Sequence, residues 1–270
     1  MCRLLGYVAD RPTSVAEILG DEALADFTAL TAVHGDGWGM AWHAPGEHET
    51  HWASSAESAL EDPRYAELVR QPLGRAGLVH LRWASPGLAI TPENTHPFVD
   101  DGYAFAHNGH ISPVDRLEGL LTDASRARLA GTTDSERYFR FLMQRIAETG
   151  DELAGVTDAL GILMGEFPES SLNALMLTPE HLFAVHINSR ASTPPALHEM
   201  FESEDEMPSR HATEYFAMDY RLAPDAVHVI SSGLDEEGWS LVPDDMAVMV
   251  DLHTREMTQL DLRPNQVSGH

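Results

Sequence analysis

Lysine is absent from these 270 residues. All 17 basic side chains are arginine, against 43 acidic ones, for a formal net charge of −26. Without a primary amine side chain, Schiff-base and lysine-nucleophile chemistry are excluded. So large an excess of negative charge argues against nucleic acid or an anionic membrane as a partner. Cysteine is nearly absent too. The single one, Cys2, cannot form an internal disulfide and fits a reducing, cytoplasmic setting. No stretch approaches the roughly 20 apolar residues of a membrane span. The N-terminus lacks the basic-then-apolar pattern of a secretory signal. What remains, with a hydrophobic content of 43%, is the composition of a globular chain able to bury a full core.

The one cysteine stands directly behind the initiator methionine. Removing Met1 would place its thiol and a free α-amino group on the same carbon. A thiol attacks as the thiolate. An α-amino group, with an ordinary pKa of about 7.7–8.0, is partly neutral at working pH and can take the thiol proton. One residue then carries both nucleophile and base.

Hydrophobic patterning places the elements. Residues 3–9 read as a strand that starts at the N-terminus and pins Cys2 at a sheet end. Helical spacing covers 15–34 and 55–70. Strands are expected over 37–43, 48–53 (an edge), 77–83 and 103–107, the last running into the turn dipeptide Asn108-Gly109. Residues 112–130 read as a short helix and a loop. Thr133-Asp134-Ser135-Glu136 has N-cap chemistry ahead of an amphipathic helix, and 151–166 reads as a second helix antiparallel to it. Strands return at 171–178, 181–188, 215–218, 227–231 and 246–252. Strands, then helices, then strands, without βαβ alternation, predict an α+β fold of antiparallel sheets with helices on their faces. The expected organisation is a single domain over 1–270. Residues 191–213, rich in Pro, Glu and Ser, form a surface loop and 264–270 a frayed tail.

Five short polar segments fall at strand ends or turns: Met1-Cys2, Arg82-Trp83-Ala84-Ser85-Pro86, Asn94-Thr95-His96-Pro97-Phe98, Ala106-His107-Asn108-Gly109 and Gly131-Thr132-Thr133-Asp134-Ser135-Glu136. Each alone is weak. In this order and spacing behind an N-terminal cysteine, they resemble the class II glutamine amidotransferases, which are N-terminal nucleophile hydrolases. The resemblance is clear over residues 1–190. It implies a four-layer αββα sandwich and hydrolysis of a γ-glutamyl amide through a thioester on Cys2, releasing glutamate and ammonia or an amine. It implies oxyanion donors from the Asn108 side chain and the Gly109 N–H, and substrate contacts at Arg82, Trp83, Ser85 and Asp134. The chemistry suits these roles. Arginine offers a carboxylate a planar two-pronged donor, Asp134 offers an ammonium its counter-charge, and local arginine must offset the global repulsion of an anionic substrate.

Locally, Asn108-Gly109 also fits a plain hairpin turn and Asp134 a helix N-cap, although Thr133 can cap instead and leave Asp134 facing the site. Many synthetase-linked members carry Thr-His where Ser85-Pro86 stand here. The segment His34-Gly35-Asp36-Gly37-Trp38-Gly39 resembles stand-alone members better, such as the γ-glutamyl hydrolase of ergothioneine synthesis; it reads as the strand beside Cys2, with Trp38 in the core. A stand-alone hydrolase is therefore expected ahead of a glutaminase subunit feeding ammonia to a separate synthetase partner. A non-catalytic binding protein on the same fold is the reading from a different class. Acylases of bile-salt or penicillin type need no carboxylate clamp, so Arg82 with Asp134 speaks against them. A homo-oligomer is compatible with all of these. His43, His48 and His51 look exposed and lack ligand spacing, and His80, His96, His107 and His110 read as satisfied structural side chains, with His107 ordering the Asn108 turn. No metal and no cofactor are expected.

Overall fold

The computed structural model describes residues 2–44, 49–85, 87–201, 203, 206–234 and 238–262. Seven strands form one antiparallel sheet: β1 (Arg3–Thr13), β2 (Trp38–His43), β3 (Thr50–Ser55), β4 (Gly74–Leu81), β9 (Met218–Leu222), β10 (Ala226–Ser231) and β11 (Ser240–Leu241), in the order β11-β9-β10-β1-β4-β2-β3. Six form the other: β5 (Phe98–Asp100), β6 (Tyr103–His107), β7 (Ala174–Leu177), β8 (His181–His186), β12 (Met246–Asp251) and β13 (Met257–Gln259), in the order β13-β12-β8-β7-β6-β5.

Alternation along the strands makes the layers, because successive side chains point to opposite faces. Leu4 and Val8 of β1 and Leu78 of β4 pack against Leu175, Leu182 and Val248 of the other sheet. Their neighbours Leu5 and Val79 face outward, onto Phe27 of α2 (Asp21–Ala29) and Tyr65 of α3 (Pro63–Leu68). On the far side, Phe105, Met176 and Phe183 meet Tyr138, Phe139 and Leu142 of α6 (Asp134–Thr149) and Leu160 and Leu163 of α7 (Glu152–Glu166). Each large side chain fully buried this way contributes about 1.5–3 kcal/mol. The result is the αββα sandwich the resemblance implied.

Helix α6 has a well-defined start. The Thr133 hydroxyl accepts from the Glu136 N–H at 3.1 Å, and the buried Glu136 carboxylate accepts from the Ala130 and Gly131 N–H groups, both at 2.8 Å. Thr133 is the cap, so Asp134 is not used up as one. The helix ends at Gly150 in the left-handed conformation.

Several expected elements differ. The 15–34 helix is broken at Gly20 (φ +81°) into α1 (Val15–Leu19) and α2. Over 55–70 only α3 is helical, because Asp62 caps it and Pro63 occupies its first position. Residues 215–217 are not strand: the Tyr215 carbonyl bonds to the Arg3 side chain instead of a neighbouring strand, and β9 begins at Met218. Short α4 (Val114–Glu118) and α5 (Asp123–Arg126) occupy 112–130, and α8 (Pro195–Glu199) lies inside the 191–213 segment. The tail 264–270, Pro86 and His48 lie outside the described residues. Among the described residues no helix is long and apolar enough to cross a membrane.

Candidate active site

Three chain segments that are far apart in sequence meet at the head of β1. Cys2 is buried just ahead of the strand. Arg82 and Trp83 follow the end of the adjacent β4, and His107-Asn108-Gly109 leave β6 in the facing sheet. The backbone nitrogen of Cys2 donates to Asn108 Oδ1 at 2.9 Å. The Cys2 Sγ lies 3.8 Å from the Trp83 carbonyl oxygen. Asn108 is fully buried, and its Nδ2 has no hydrogen-bond partner among the described residues. A narrow pocket is lined by Cys2, Arg82, Trp83, Ser85, Gly109 and Asp134, with His96 and His107 also on its wall.

The Asn108-Gly109 turn is built from behind. His107 Nδ1 is 2.9 Å from the Ser135 hydroxyl, and His107 Nε2 is 2.9 Å from the Ser171 carbonyl oxygen. A carbonyl only accepts, so Nε2 carries the proton and Nδ1 accepts from Ser135. Burial pushes the His107 pKa down, against the opposing pull of Asp134. The Ser171 hydroxyl donates to the Asn108 carbonyl at 3.0 Å. Gly109 is required by space: a Cβ there would stand 2.0 Å from the Ser171 oxygen and 2.5 Å from His107 Nε2. His107 therefore does order the turn, and through Ser135 it joins the turn to the first residues of α6.

Arg82 is 2% exposed. Its guanidinium donates to the carbonyls of Asp36 (3.1 Å) and Ala89 (3.3 Å). The Asp36 carboxylate accepts from the Ala84 N–H at 2.8 Å. Asn94 donates to the same Ala89 carbonyl and accepts from the Thr132 N–H, tying the loop after Arg82 to the start of α6. Asp134 is buried with both oxygens engaged: Oδ2 accepts from the Ile111 N–H at 2.6 Å, Oδ1 from the Ser135 N–H at 2.9 Å. His110 Nδ1 lies 3.5 Å from Oδ2. Burial raises the Asp134 pKa, but the hydrogen bonds from His110 and the Ile111 N–H outweigh it, and the net shift is downward. His110 shifts up through the same contact.

Arg82, Trp83, Ser85, Gly109 and Asp134 are thus brought to one pocket with Cys2, and Asn108 stands against the Cys2 nitrogen. Asp36 and Asn94 hold the Arg82 loop; both lie inside the motifs quoted above, and nothing in the local pattern marks them for this role. In the sequence Arg3 is one residue of a strand. It is fully buried and bonds to His34 Nε2 (3.1 Å), the Tyr215 carbonyl (3.0 Å) and both Ser232 oxygens (3.2 and 3.0 Å), with its guanidinium 4.1 Å from the Tyr215 ring centre. Two histidine readings need correction. His43 is buried, 3.0 Å from the Thr50 hydroxyl, because β2 turns it inward. His80 and His96 are not satisfied: no ring nitrogen of either has a hydrogen-bond partner among the described residues. Trp38 is in the core, donating to Asp62 at 3.2 Å.

A family model described as glutamine amidotransferases class-II matches residues 1–207. The chain belongs to the class II glutamine amidotransferases. It is thereby a glutamine amidohydrolase by family. The glutamine–fructose-6-phosphate aminotransferase (isomerizing) of Pseudomonas syringae pv. tomato is 29% identical over 219 residues, covering 80% of this chain and 34% of that protein. This amidotransferase chain therefore spans about a third or less of the length of the curated relatives it matches. A glutamine aminotransferase class-II domain protein from Silicibacter pomeroyi superposes with a TM-score of 0.62 at 16% identity, covering 96% of this chain and 99% of that one. The glutamine phosphoribosylpyrophosphate amidotransferase of B. subtilis superposes at 0.60 and 13% identity, over 98% of this chain and 50% of that one. Both share the fold.

Proposed function

We propose that this chain hydrolyses a γ-glutamyl amide, either glutamine or a γ-glutamyl metabolite, through a thioester on Cys2. The observation that carries the reading is the Asn108 side chain. Its oxygen is tied to the Cys2 nitrogen while its buried amide nitrogen is left without a partner. A buried donor beside a nucleophile is what a developing oxyanion needs, because it is in place before the charge appears.

In this reading, loss of Met1 turns the Cys2 amide nitrogen into an α-amine held by Asn108. The amine takes the thiol proton, and the thiolate attacks the γ-carbonyl. Asn108 Nδ2 and the Gly109 N–H receive the oxyanion. The amine returns the proton to the leaving ammonia or amine, and water releases glutamate from the thioester. Arg82, with Ser85 beside it, faces the substrate carboxylate, and Asp134 faces its ammonium. Trp83 closes the wall next to the sulfur. Because Arg82 is engaged with Ala89 here, the loop after it shifts as the substrate enters.

A second reading keeps the same chemistry but delivers the ammonia to a separate synthetase. It draws on the curated relatives, whose names describe aminotransferases about three times longer than the matched part. Intact mass before and after 6-diazo-5-oxo-norleucine tests the chemistry, and turnover of the isolated chain separates the readings. Loss of Met1 with one adduct on Cys2 and steady hydrolysis supports the stand-alone hydrolase. The adduct with negligible turnover supports the subunit. Met1 retained and no adduct would instead leave a binding protein on this fold.

A further inference from the structure

Two imidazoles have no task in the chemistry above. His80 on β4 and His96 in the loop before β5 are both buried, with ring centres 4.1 Å apart. None of their four ring nitrogens has a hydrogen-bond partner among the described residues. Buried polar atoms are nearly always satisfied, so the His96 nitrogens, on the pocket wall, point to something they bind. His80 lies against the His107 carbonyl, one residue before Asn108, without closing a hydrogen bond to it. His96 lines the pocket that Cys2 lines. Burial, reinforced by the nearby Arg82 cation, holds both rings neutral, so each keeps a lone pair.

Two other acceptors on that wall, His107 and Asp134, are committed. His107 uses both nitrogens, on Ser135 and Ser171. Asp134 accepts from Ile111, Ser135 and His110.

We propose that His96, backed by His80, holds the water that hydrolyses the Cys2 thioester. This rests on the thioester reading given above. The water donates one hydrogen bond to the His96 lone pair, which aims its oxygen at the thioester carbonyl. As the C–O bond forms, the water proton passes to the Cys2 α-amine. The tetrahedral adduct then expels the thiolate, breaking the C–S bond, and the α-ammonium gives its proton back to sulfur. Glutamate leaves and the enzyme is restored. His80 sets the tilt of His96 by ring contact, at an interplanar angle of 36°, and does not touch the water.

The test separates the two half-reactions with γ-glutamyl-p-nitroanilide. In His96→Leu the first equivalent of p-nitroaniline should appear at close to the wild-type rate. Steady turnover should fall by about 10²-fold, the scale of a lost positioned proton-transfer contact. Intact mass should then show the γ-glutamyl chain accumulating. His96→Asn, which keeps a hydrogen-bonding atom near the Nδ1 position, should recover much of the loss. A first turnover slowed in parallel with steady turnover, with no acyl-enzyme, would overturn the proposal. Should His96→Leu fail to fold, His80→Asn leaves His96 in place and reads the same two rates: accumulation supports the proposal and parallel loss overturns it. Wild-type protein that releases no p-nitroaniline and takes no diazo-oxo-norleucine adduct removes the thioester reading itself. Normal acylation with unaltered deacylation in His96→Leu removes only this inference.

Discussion

The Cys2 backbone nitrogen and the Asn108 side-chain oxygen, 2.9 Å apart, join the head of β1 in one sheet to the turn after β6 in the other. The bond crosses between the sheets at the end where β1 starts and β6 stops. It also fixes the Asn108 amide so that its other arm, the nitrogen, is the donor left over. Asn108→Asp keeps an acceptor for the Cys2 nitrogen and removes that donor. Removing one oxyanion donor costs roughly 10²–10³ in kcat. We expect a loss of that size with KM changed little, measured by steady-state hydrolysis of glutamine or a γ-glutamyl anilide. A loss below tenfold would mean that the oxyanion is held elsewhere.

Arg82 has two duties that one substitution separates. Its guanidinium faces the pocket and also holds the Asp36 and Ala89 carbonyls. Arg82→Lys keeps the charge but loses the planar fork. We expect KM to rise by about tenfold or more, since a charge-assisted hydrogen bond is worth about 1.5–3 kcal/mol, while kcat falls less. Equal loss in both parameters would assign Arg82 to the loop alone.

Gly109 tests whether the turn tolerates any side chain. A methyl group there would overlap the Ser171 oxygen and His107 Nε2. The backbone must move, and with it Asn108. Gly109→Ala should therefore abolish most activity and lower the melting temperature by several degrees. Gly109 has no positive φ, so the cause is space and not conformation. Near-native activity would mean that the turn shifts without cost to the oxyanion donors.

How much of this was legible in the sequence depends on the range of the interaction. The core strands showed themselves through apolar runs such as Gly77–Leu81, and α6 through its Thr133 cap and the spacing of Tyr138, Leu142 and Ile146. The site segments were visible because Cys2, Arg82, Asn108 and Asp134 sit in compact motifs at strand and helix ends. What was not legible joins segments far apart in the chain. Arg3 reads as one residue of a strand until Tyr215 and Ser232 are seen around it. Tyr215 reads as the start of a strand for the same reason. The unsatisfied state of His80 and His96 depends on what surrounds them, which local pattern does not carry. Strands of three residues or fewer, β5, β11 and β13, are too short for a period to register.

A cluster away from the site predicts how stability follows pH. Glu152, at the start of α7, accepts from the Tyr103 hydroxyl (2.8 Å), the Thr178 hydroxyl (2.9 Å) and His181 Nδ1 (2.9 Å), tying the helix to β6 and β8. Burial raises the Glu152 pKa, but the bonds from His181, Tyr103 and Thr178 outweigh it and the net shift is downward. The His181 pKa is raised by the Glu152 bond, against burial. The two signs differ. A lowered carboxylate stabilises above its unfolded pKa and loses that contribution as pH falls through the folded value. A raised histidine stabilises below its unfolded pKa and loses the contribution as pH rises through the folded value. The pair is therefore strongest between about 4.3 and 6.5, the ordinary values of the two groups. Glu152→Gln should lower the melting temperature most inside that window, with a smaller difference on either side. At roughly 2–4 °C per kcal/mol for a chain of this order of size, a partly buried, charge-assisted contact gives a shift of a few degrees. Thermal melts of the two proteins from pH 4 to 9 provide the check. A difference that stays constant from about pH 5 to 9, across the histidine range, would show that Glu152 acts through the bonds it accepts from Tyr103 and Thr178 and not through the charge on His181.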